Sequence, residues 1–376
     1  MTERRVLAAL FATFVGVLAL IAWASPSPNR VTDRIVYETT AANVIVVDCS
    51  DLQCFRVLVP WVLGRLPGPS VVRWKAYAVV SNAAAAVGVW LLCVSFGSSR
   101  RACLFASAIS ALGFGSLYTL HDPYTSDPLM YAIGPVLTYC LLTERIGIAA
   151  FLSVVGVLAK EFAAAPAYAV ALYHAAARQW PPAVRAVLVG NAAFLTWAVL
   201  TMTLMLKFNY GWGWNGVGSA NLTGGAALAL WASRQSLRGI AFAMFNEFGA
   251  LYVLAPAGFL LASPSMRRLA IVSVPLAALF AYVQQPDRAL WNFHYLVAPF
   301  AALVLERAPA PLAWATVALF AVGNLRVGAQ LPVAAVGRVA LGGSVLLALL
   351  STASALRNRS PSLRTLRPNV LHEAGH

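Results

Sequence analysis

Acidic side chains are scarce in this chain. Thirteen Asp and Glu stand against 27 Lys and Arg in 376 residues, and the only lysines are Lys75, Lys160 and Lys207. With 60% hydrophobic residues and a mean hydropathy of +0.74, too little polar surface remains to cover a soluble domain of this length. No Walker loop, strand-borne GxGxxG, GxSxG or HExxH is present, so energy for any chemistry must arrive in an activated substrate rather than a bound nucleotide. The five cysteines show no zinc-ligand spacing. Cys93, Cys103 and Cys140 fall in apolar runs, whereas Cys49 and Cys54 lie in a polar gap where an oxidising compartment permits a bridge. No Ser/Gly-rich linker or charge-rich block divides the chain, which reads as one integral membrane domain, 1–356, with a basic cytoplasmic tail, 357–376. The net charge of +14 invites a nucleic-acid reading, but the arginines are scattered at the ends of apolar runs. Most of them read as topogenic anchors, the remainder as phosphate grips, and no nucleic-acid partner is expected.

Apolar stretches of about 20 residues recur from end to end, as helical membrane spans require. About 12 are expected, near 6–24, 76–97, 102–120, 128–143, 146–159, 162–177, 186–206, 247–263, 269–284, 294–306, 311–325 and 338–356; ten or eleven are the alternatives. The first has no cleavage site after it and reads as a retained span. Two long polar gaps interrupt the series, at 25–75 and at 207–245, the second rich in Gly and Trp. Inside the first, Cys54 to Gly64 is too short and too broken by Pro60 to span; it suits an interfacial helix with Trp61 at headgroup level. Short turns carrying Arg100-Arg101, Arg145, Arg178 and Arg267-Arg268 mark the inner side, so both termini are expected in the cytoplasm of a bacterial inner membrane.

That topology places nine of the thirteen acids on the outer, periplasmic side: Asp33, Glu38, Asp48, Asp51, Asp122, Asp127, Glu161, Glu247 and Asp287. Ionisable groups at the edge of hydrocarbon are costly and usually carry function. A carboxylate there can deprotonate an acceptor hydroxyl or hold a divalent cation; Asp33, Asp51 and Asp122 are the candidates. Asp127, followed by Pro128, reads as a helix N-cap. Lys160-Glu161, between two short spans, reads either as a mutual salt bridge or as a phosphate-binding ammonium with its orienting acid. Asp287, Arg288 and His294 form a further outer cluster, Arg288 and Arg56 offering forks that match phosphate oxygens. Trp212, Trp214 and Trp291 suit either an aromatic belt or a sugar platform.

In this order, span one, an outer segment with Asp33, the interfacial Phe55, Arg56, Pro60 and Trp61, an Asp-Pro turn before span four, Ala159-Lys160-Glu161 and a late Asp287-Arg288 resemble a known family. It is the GT-C class of integral membrane glycosyltransferases, which use polyprenyl-phosphate sugars. The resemblance covers about residues 1–306 and rests on the order of loose motifs. It implies an all-α, GT-C-like polytopic helix bundle acting on a polyprenyl-phosphate-linked sugar in the lipid bilayer. An outer-loop acid, nearest to Asp33 here, then serves as base or metal-site residue. Arg56, Lys160, Glu161, Asp287, Arg288 and His294 are expected on the substrate side. No cofactor is implied with certainty, a divalent cation is an option with unknown ligands, and the acceptor is a glycan, lipid or protein. The rival classes are a transporter or lipid flippase for a cell-envelope precursor, which places broken helices or charges at mid-membrane, and an assembly protein without a substrate.

Overall fold

The computed structural model describes residues 3–26, 32–43, 45, 49, 52–210, 238, 241, 245, 247–283, 290–326 and 334–357. Every regular element among them is helical. They are α1 Glu3–Ala24, α2 Thr32–Asn43, a 3-10 turn Leu52–Phe55, α3 Leu58–Gly64, α4 Ser70–Ser95, α5 Arg100–Leu112, α6 Phe114–His121 and α7 Asp127–Leu142. After these come α8 Ile146–Ala159, a 3-10 turn Glu161–Ala164, α9 Ala165–Ala176, α10 Trp180–Phe208, α11 Leu251–Leu261, α12 Pro264–Val283, α13 His294–Arg307, α14 Ala310–Leu325 and α15 Ala334–Arg357. Among the described residues, Glu3–Ala24, Ser70–Ser95, Arg100–His121, Trp180–Phe208 and Ala335–Arg357 are long and apolar enough to cross a membrane. Asp127–Leu142, Ile146–Ala159, Leu251–Leu261 and Ala310–Leu325 are apolar but shorter. The chain is thus an all-α polytopic bundle; about twelve crossings were expected, and among the described residues five helical stretches have full length, one of them, Arg100–His121, interrupted at Gly113.

The bundle is organised on α4, which packs on α7, α5 and α1. Its buried face is built from small residues, Ser81, Ala83, Ala85, Ala86 and Gly88 among them, so neighbouring backbones approach closely. At Gly88 a Cβ would lie 2.8 Å from Val136 Cγ2 on α7. The outward residues Val184, Leu188, Leu195, Val199 and Leu206 of α10 are exposed and apolar, the surface expected where lipid is the solvent.

The third expected span, 102–120, is broken. Gly113 is extended (φ −82°, ψ 171°) between α5 and α6. The indole of Trp291 fills the notch: a Cβ on Gly113 would fall 2.0 Å from Trp291 Cη2, and one on Gly115 would fall 2.2 Å from its Cδ1. Backbone carbonyls near the break find side-chain donors. Ser116 Oγ donates to Ser110 O at 2.7 Å, Asn324 Nδ2 to Leu112 O at 3.3 Å, and Asn82 Nδ2 to Ser116 O at 3.3 Å. Irregular backbone at this depth is tolerable because protein surrounds it. Gly113→Ala is therefore expected to cost at least about 1–3 kcal/mol by overpacking, measured as a lower thermal midpoint in detergent. Trp291→Ala in the same chain should return part of that loss; an unchanged midpoint in Gly113→Ala alone contradicts the wedge.

The two ends of the bundle differ in charge. One carries the arginine turns. There Ser99 Oγ caps α5 by accepting from Ala102 N at 3.2 Å, Arg101 Nη2 donates to Ala308 O at 2.9 Å, and Arg185 meets Glu144 at 3.1 Å. The other gathers the end of α1, α2, α3, the starts of α4 and α7, and the ends of α6 and α8. At this end Lys75 Nζ donates to Ala22 O at 2.7 Å. The second long gap also begins here, with Tyr210 edge-on to Phe55 at 5.3 Å.

Two local expectations are corrected. Residues 32–43, read as loop, form α2, which turns Tyr37 and Thr40 inward. The interfacial segment is not one helix over 54–64: a 3-10 turn precedes α3, with Arg56 and Val57 between them.

Candidate functional site

Three segments far apart in sequence meet at the acid-bearing end. The first is the Asp-Pro turn. Asp122 closes α6, its backbone N–H donating to Tyr118 O at 2.8 Å and its Oδ2 accepting from Tyr118 Oη at 3.3 Å. Asp127 then opens α7, with its own N–H on Thr125 Oγ1 at 3.2 Å. The expected N-cap role for Asp127 is corrected: Ser126 occupies the cap position, without a side-chain capping bond. The Asp127 carboxylate instead accepts from Lys160 Nζ, and both side chains are buried.

Lys160 and Glu161 form the second segment, and they do not pair with each other. Lys160 ends α8 in an extended conformation (φ −159°, ψ 130°). Successive side chains on extended backbone diverge, so Lys160 turns to Asp127 and Glu161 to a different partner. That partner is Arg56, in the third segment. Arg56 Nε donates to Glu161 Oε2 at 3.0 Å and Nη2 to Oε1 at 2.6 Å, a two-point fork across 105 residues of chain. Arg56 Nη1 also lies 3.5 Å from Tyr37 Oη on α2. Tyr37 stacks obliquely on Trp74, and Trp74 on Tyr124, with ring centroids 5.4 Å apart in each case. The third segment is itself tied: Cys49 and Cys54 form the disulfide that the sequence permitted.

The two ion pairs together are neutral and lie out of water. Burial would raise the Glu161 carboxyl, but the charge and fork of Arg56, with Lys160 behind it, bring it below the usual carboxylate value. Lys160 is pulled below its ordinary value by burial; Asp127 only partly offsets this, and Arg56 pushes the same way. Beside the cluster, in partial contact with solvent, Arg34 pairs with Glu38 at 3.1 Å and lies over the Tyr124 ring at 4.7 Å. Glu38 Oε1 accepts from Ser70 Oγ at 2.8 Å.

His294 stands apart from this cluster. It begins α13, its Nδ1 is 2.9 Å from Trp291 O, and its ring stacks on Trp291 at 5.4 Å. It approaches the ion-paired segments through α7, where Tyr131, one turn beyond Asp127, lies edge-on to it at 5.9 Å, while the neighbouring Phe293 packs against Ala165 and Phe162. Asp51, Asp287 and Arg288 lie outside the described residues. Asp33 is the second residue of α2, one turn before Tyr37, and its side chain is outside them too. Among the described residues no group of three or more His, Cys, Asp or Glu assembles that could hold a metal ion.

Asp127 and Tyr37 are the members of the cluster that sequence reasoning missed. A signal existed for Asp127: a lysine flanked by apolar spans needs a buried counter-charge, and the Asp-Pro turn offers one. Tyr37 left no such mark.

No family model and no curated protein matches the chain. Among solved structures it is similar to the oligosaccharyltransferase of Archaeoglobus fulgidus. The form tethered to an acceptor peptide containing the NVT sequon gives a TM-score of 0.47 at 14% identity, over 92% of this chain and 55% of that one. The apo form gives 0.47 at 13%, over 91% and 56%. The oligosaccharyltransferase AglB of the same organism, in complex with an inhibitory peptide and a dolichol-phosphate, gives 0.48 at 13%, again over 91% and 56%. The chain therefore spans little more than half the length of these structures.

Proposed function

We propose that this chain is a membrane glycosyltransferase of the GT-C type, moving a sugar from a polyprenyl-phosphate donor to an acceptor at the acid-bearing, outer end of the bundle. One observation carries the reading. The interfacial segment, the Asp-Pro turn and Lys160-Glu161, the motifs whose order resembles that class, are fastened together at one end by two buried ion pairs. A preorganised polar floor of this kind is what a departing lipid phosphate requires, since fixed donors aimed at developing charge are usually the largest catalytic contribution. Arg56 can serve without releasing Glu161. A guanidinium has five N–H donors, and the fork uses one on Nε and one on Nη2, leaving N–H groups on both Nη atoms. Lys160 sets the local charge through Asp127, and Arg288 completes the donor side, with His294 lining it at a distance through Tyr131 of α7. Asp33, at the start of the helix that covers this floor, is the proposed base that takes the acceptor hydroxyl proton, with Asp51 and Asp122 as the other outer acids to test. Glu161 and Asp287 orient the cations.

A transporter or flippase is less well supported. The broken helix between α5 and α6 has the form such folds use, but Trp291 fills the break and protein side chains bond its carbonyls. Lipid-linked sugars in cells with and without the chain test the proposal: a polyprenyl-phosphate sugar should accumulate in its absence, and an unchanged lipid profile counts against it.

A further inference from the structure

The 3-10 turn that delivers Arg56, Leu52–Phe55, is four residues long and carries Cys54, one end of a covalent tie. Cys49 and Cys54 are joined with Cα atoms 6.4 Å apart, within the range a disulfide bridges. Cys54 is fully buried with Phe55, Leu204 and Tyr210, and Val36, Ile45 and Cys49 pack against that group. Arg56 comes two residues later, its N–H donating to Gln53 O at 3.1 Å. The turn is too short to hold itself. It is held by the disulfide, by Cys54 and Phe55 packed on Leu204 and Tyr210, and by the Arg56–Glu161 fork, with α3 seated beyond it through Val59 and Leu63. Ordering a residue of backbone costs roughly 1–2 kcal/mol, and a disulfide offsets such costs by restricting the unlinked alternatives. The remaining cysteines, Cys93, Cys103 and Cys140, are buried and free inside the bundle, so the pairing is confined to this segment.

We propose that the Cys49–Cys54 disulfide is a redox latch for Arg56: joined, it seats the guanidinium against Glu161, and cleaved by a dithiol it lets Arg56 leave the cluster. In the cleavage a reductant thiolate attacks Cys49 Sγ, the more accessible sulfur, and the S–S bond breaks with Cys54 leaving as a thiolate that takes a proton. The second thiol of the reductant then displaces Cys49. Two electrons and two protons pass to the cysteines, and the reductant becomes a disulfide. The effect on sugar transfer rests on the function proposed above; the placement of Arg56 does not.

The test uses the full chain in nanodiscs, oxidised or treated with dithiothreitol, together with Cys49→Ser and Cys49→Ser/Cys54→Ser. Phenylglyoxal, which modifies accessible guanidinium groups, is followed at residue 56 by peptide mass mapping, with the half-exposed Arg185 as internal reference. Modification of Arg56 relative to Arg185 should rise on the order of tenfold on reduction and in both variants, the ratio that about 1.4 kcal/mol of lost protection produces. Cys49→Ser leaves the buried Cys54 side chain in place and so separates loss of the bond from loss of packing. Arg56 remaining equally protected in reduced chain and in Cys49→Ser overturns the latch, as does finding free thiols at 49 and 54 in chain purified without reductant. If Arg56 is unlatched by reduction but no polyprenyl-phosphate sugar is consumed in either state, the latch stands and the glycosyltransferase reading falls.

Discussion

Glu161→Ala is expected to destabilise the folded chain by about 3–5 kcal/mol, because it leaves the Arg56 guanidinium buried without its counter-charge. The comparison within the molecule is Glu144→Ala. That change breaks the Arg185–Glu144 pair, whose side chains are 41% and 63% exposed, and should cost no more than about 1 kcal/mol. The corresponding exposures for Arg56 and Glu161 are 10% each, which is why the same chemistry yields different losses. Removing both charges, as in Arg56→Met with Glu161→Leu, should recover most of the stability, since a buried ion pair exchanged for apolar side chains is often neutral. The sign with pH follows from the depressed Glu161 carboxyl. Its stabilising contribution is complete above the ordinary value of 4.5 and is lost as pH falls through the lower folded value. Thermal midpoints in detergent across acid pH should therefore fall more steeply for the native chain than for the double variant. Equal midpoints for Glu161→Ala and Glu144→Ala contradict the assignment of the Arg56–Glu161 pair as the tie between the segment preceding α3 and the bundle.

Asp33→Asn is expected to lower sugar transfer by roughly 10²–10⁴-fold, the usual contribution of a positioned general base, while the protein remains folded and membrane-bound. The substitution is isosteric and removes only the charge. Asp51→Asn and Asp122→Asn are the controls. Asp122 already accepts from Tyr118 Oη, so its loss should show first in stability and less in turnover. Full activity in Asp33→Asn, with loss in Asp51→Asn or Asp122→Asn, moves the base to that residue and leaves the fold unaffected.

Hydropathy made the membrane class and most helix positions legible, because burial in lipid constrains whole runs of residues at once. α4 was expected over about 76–97 and occupies Ser70–Ser95. Features decided by a single distant contact were not legible. α2 is polar and rich in β-branched residues, Ile35, Val36, Thr39 and Thr40, a pattern that reads as loop. Its helical form serves to bury Tyr37 against Trp74, a partner 37 residues on. The break at Gly113 is invisible to hydropathy, since the residue that fills it is Trp291. In the site, Lys160 and Glu161 were singled out as a charged pair at a helix junction, read either as a mutual bridge or as a phosphate-binding ammonium with its orienting acid. The extended backbone at Lys160 assigns each to its own partner. The cap reading of Asp127 was locally sufficient, and it concealed the counter-ion of Lys160.

The most direct measurement places the purified chain in liposomes with a panel of radiolabelled polyprenyl-phosphate hexoses and pentoses and a cell-envelope extract as acceptor, and follows the label and the lipid by chromatography. For one donor in the panel the expected result is that label leaves the lipid, polyprenyl phosphate appears in equal amount, and both changes vanish in Asp33→Asn. If instead the labelled lipid moves between leaflets with its sugar still attached, or every donor is unchanged, the chain is not a glycosyltransferase of this kind.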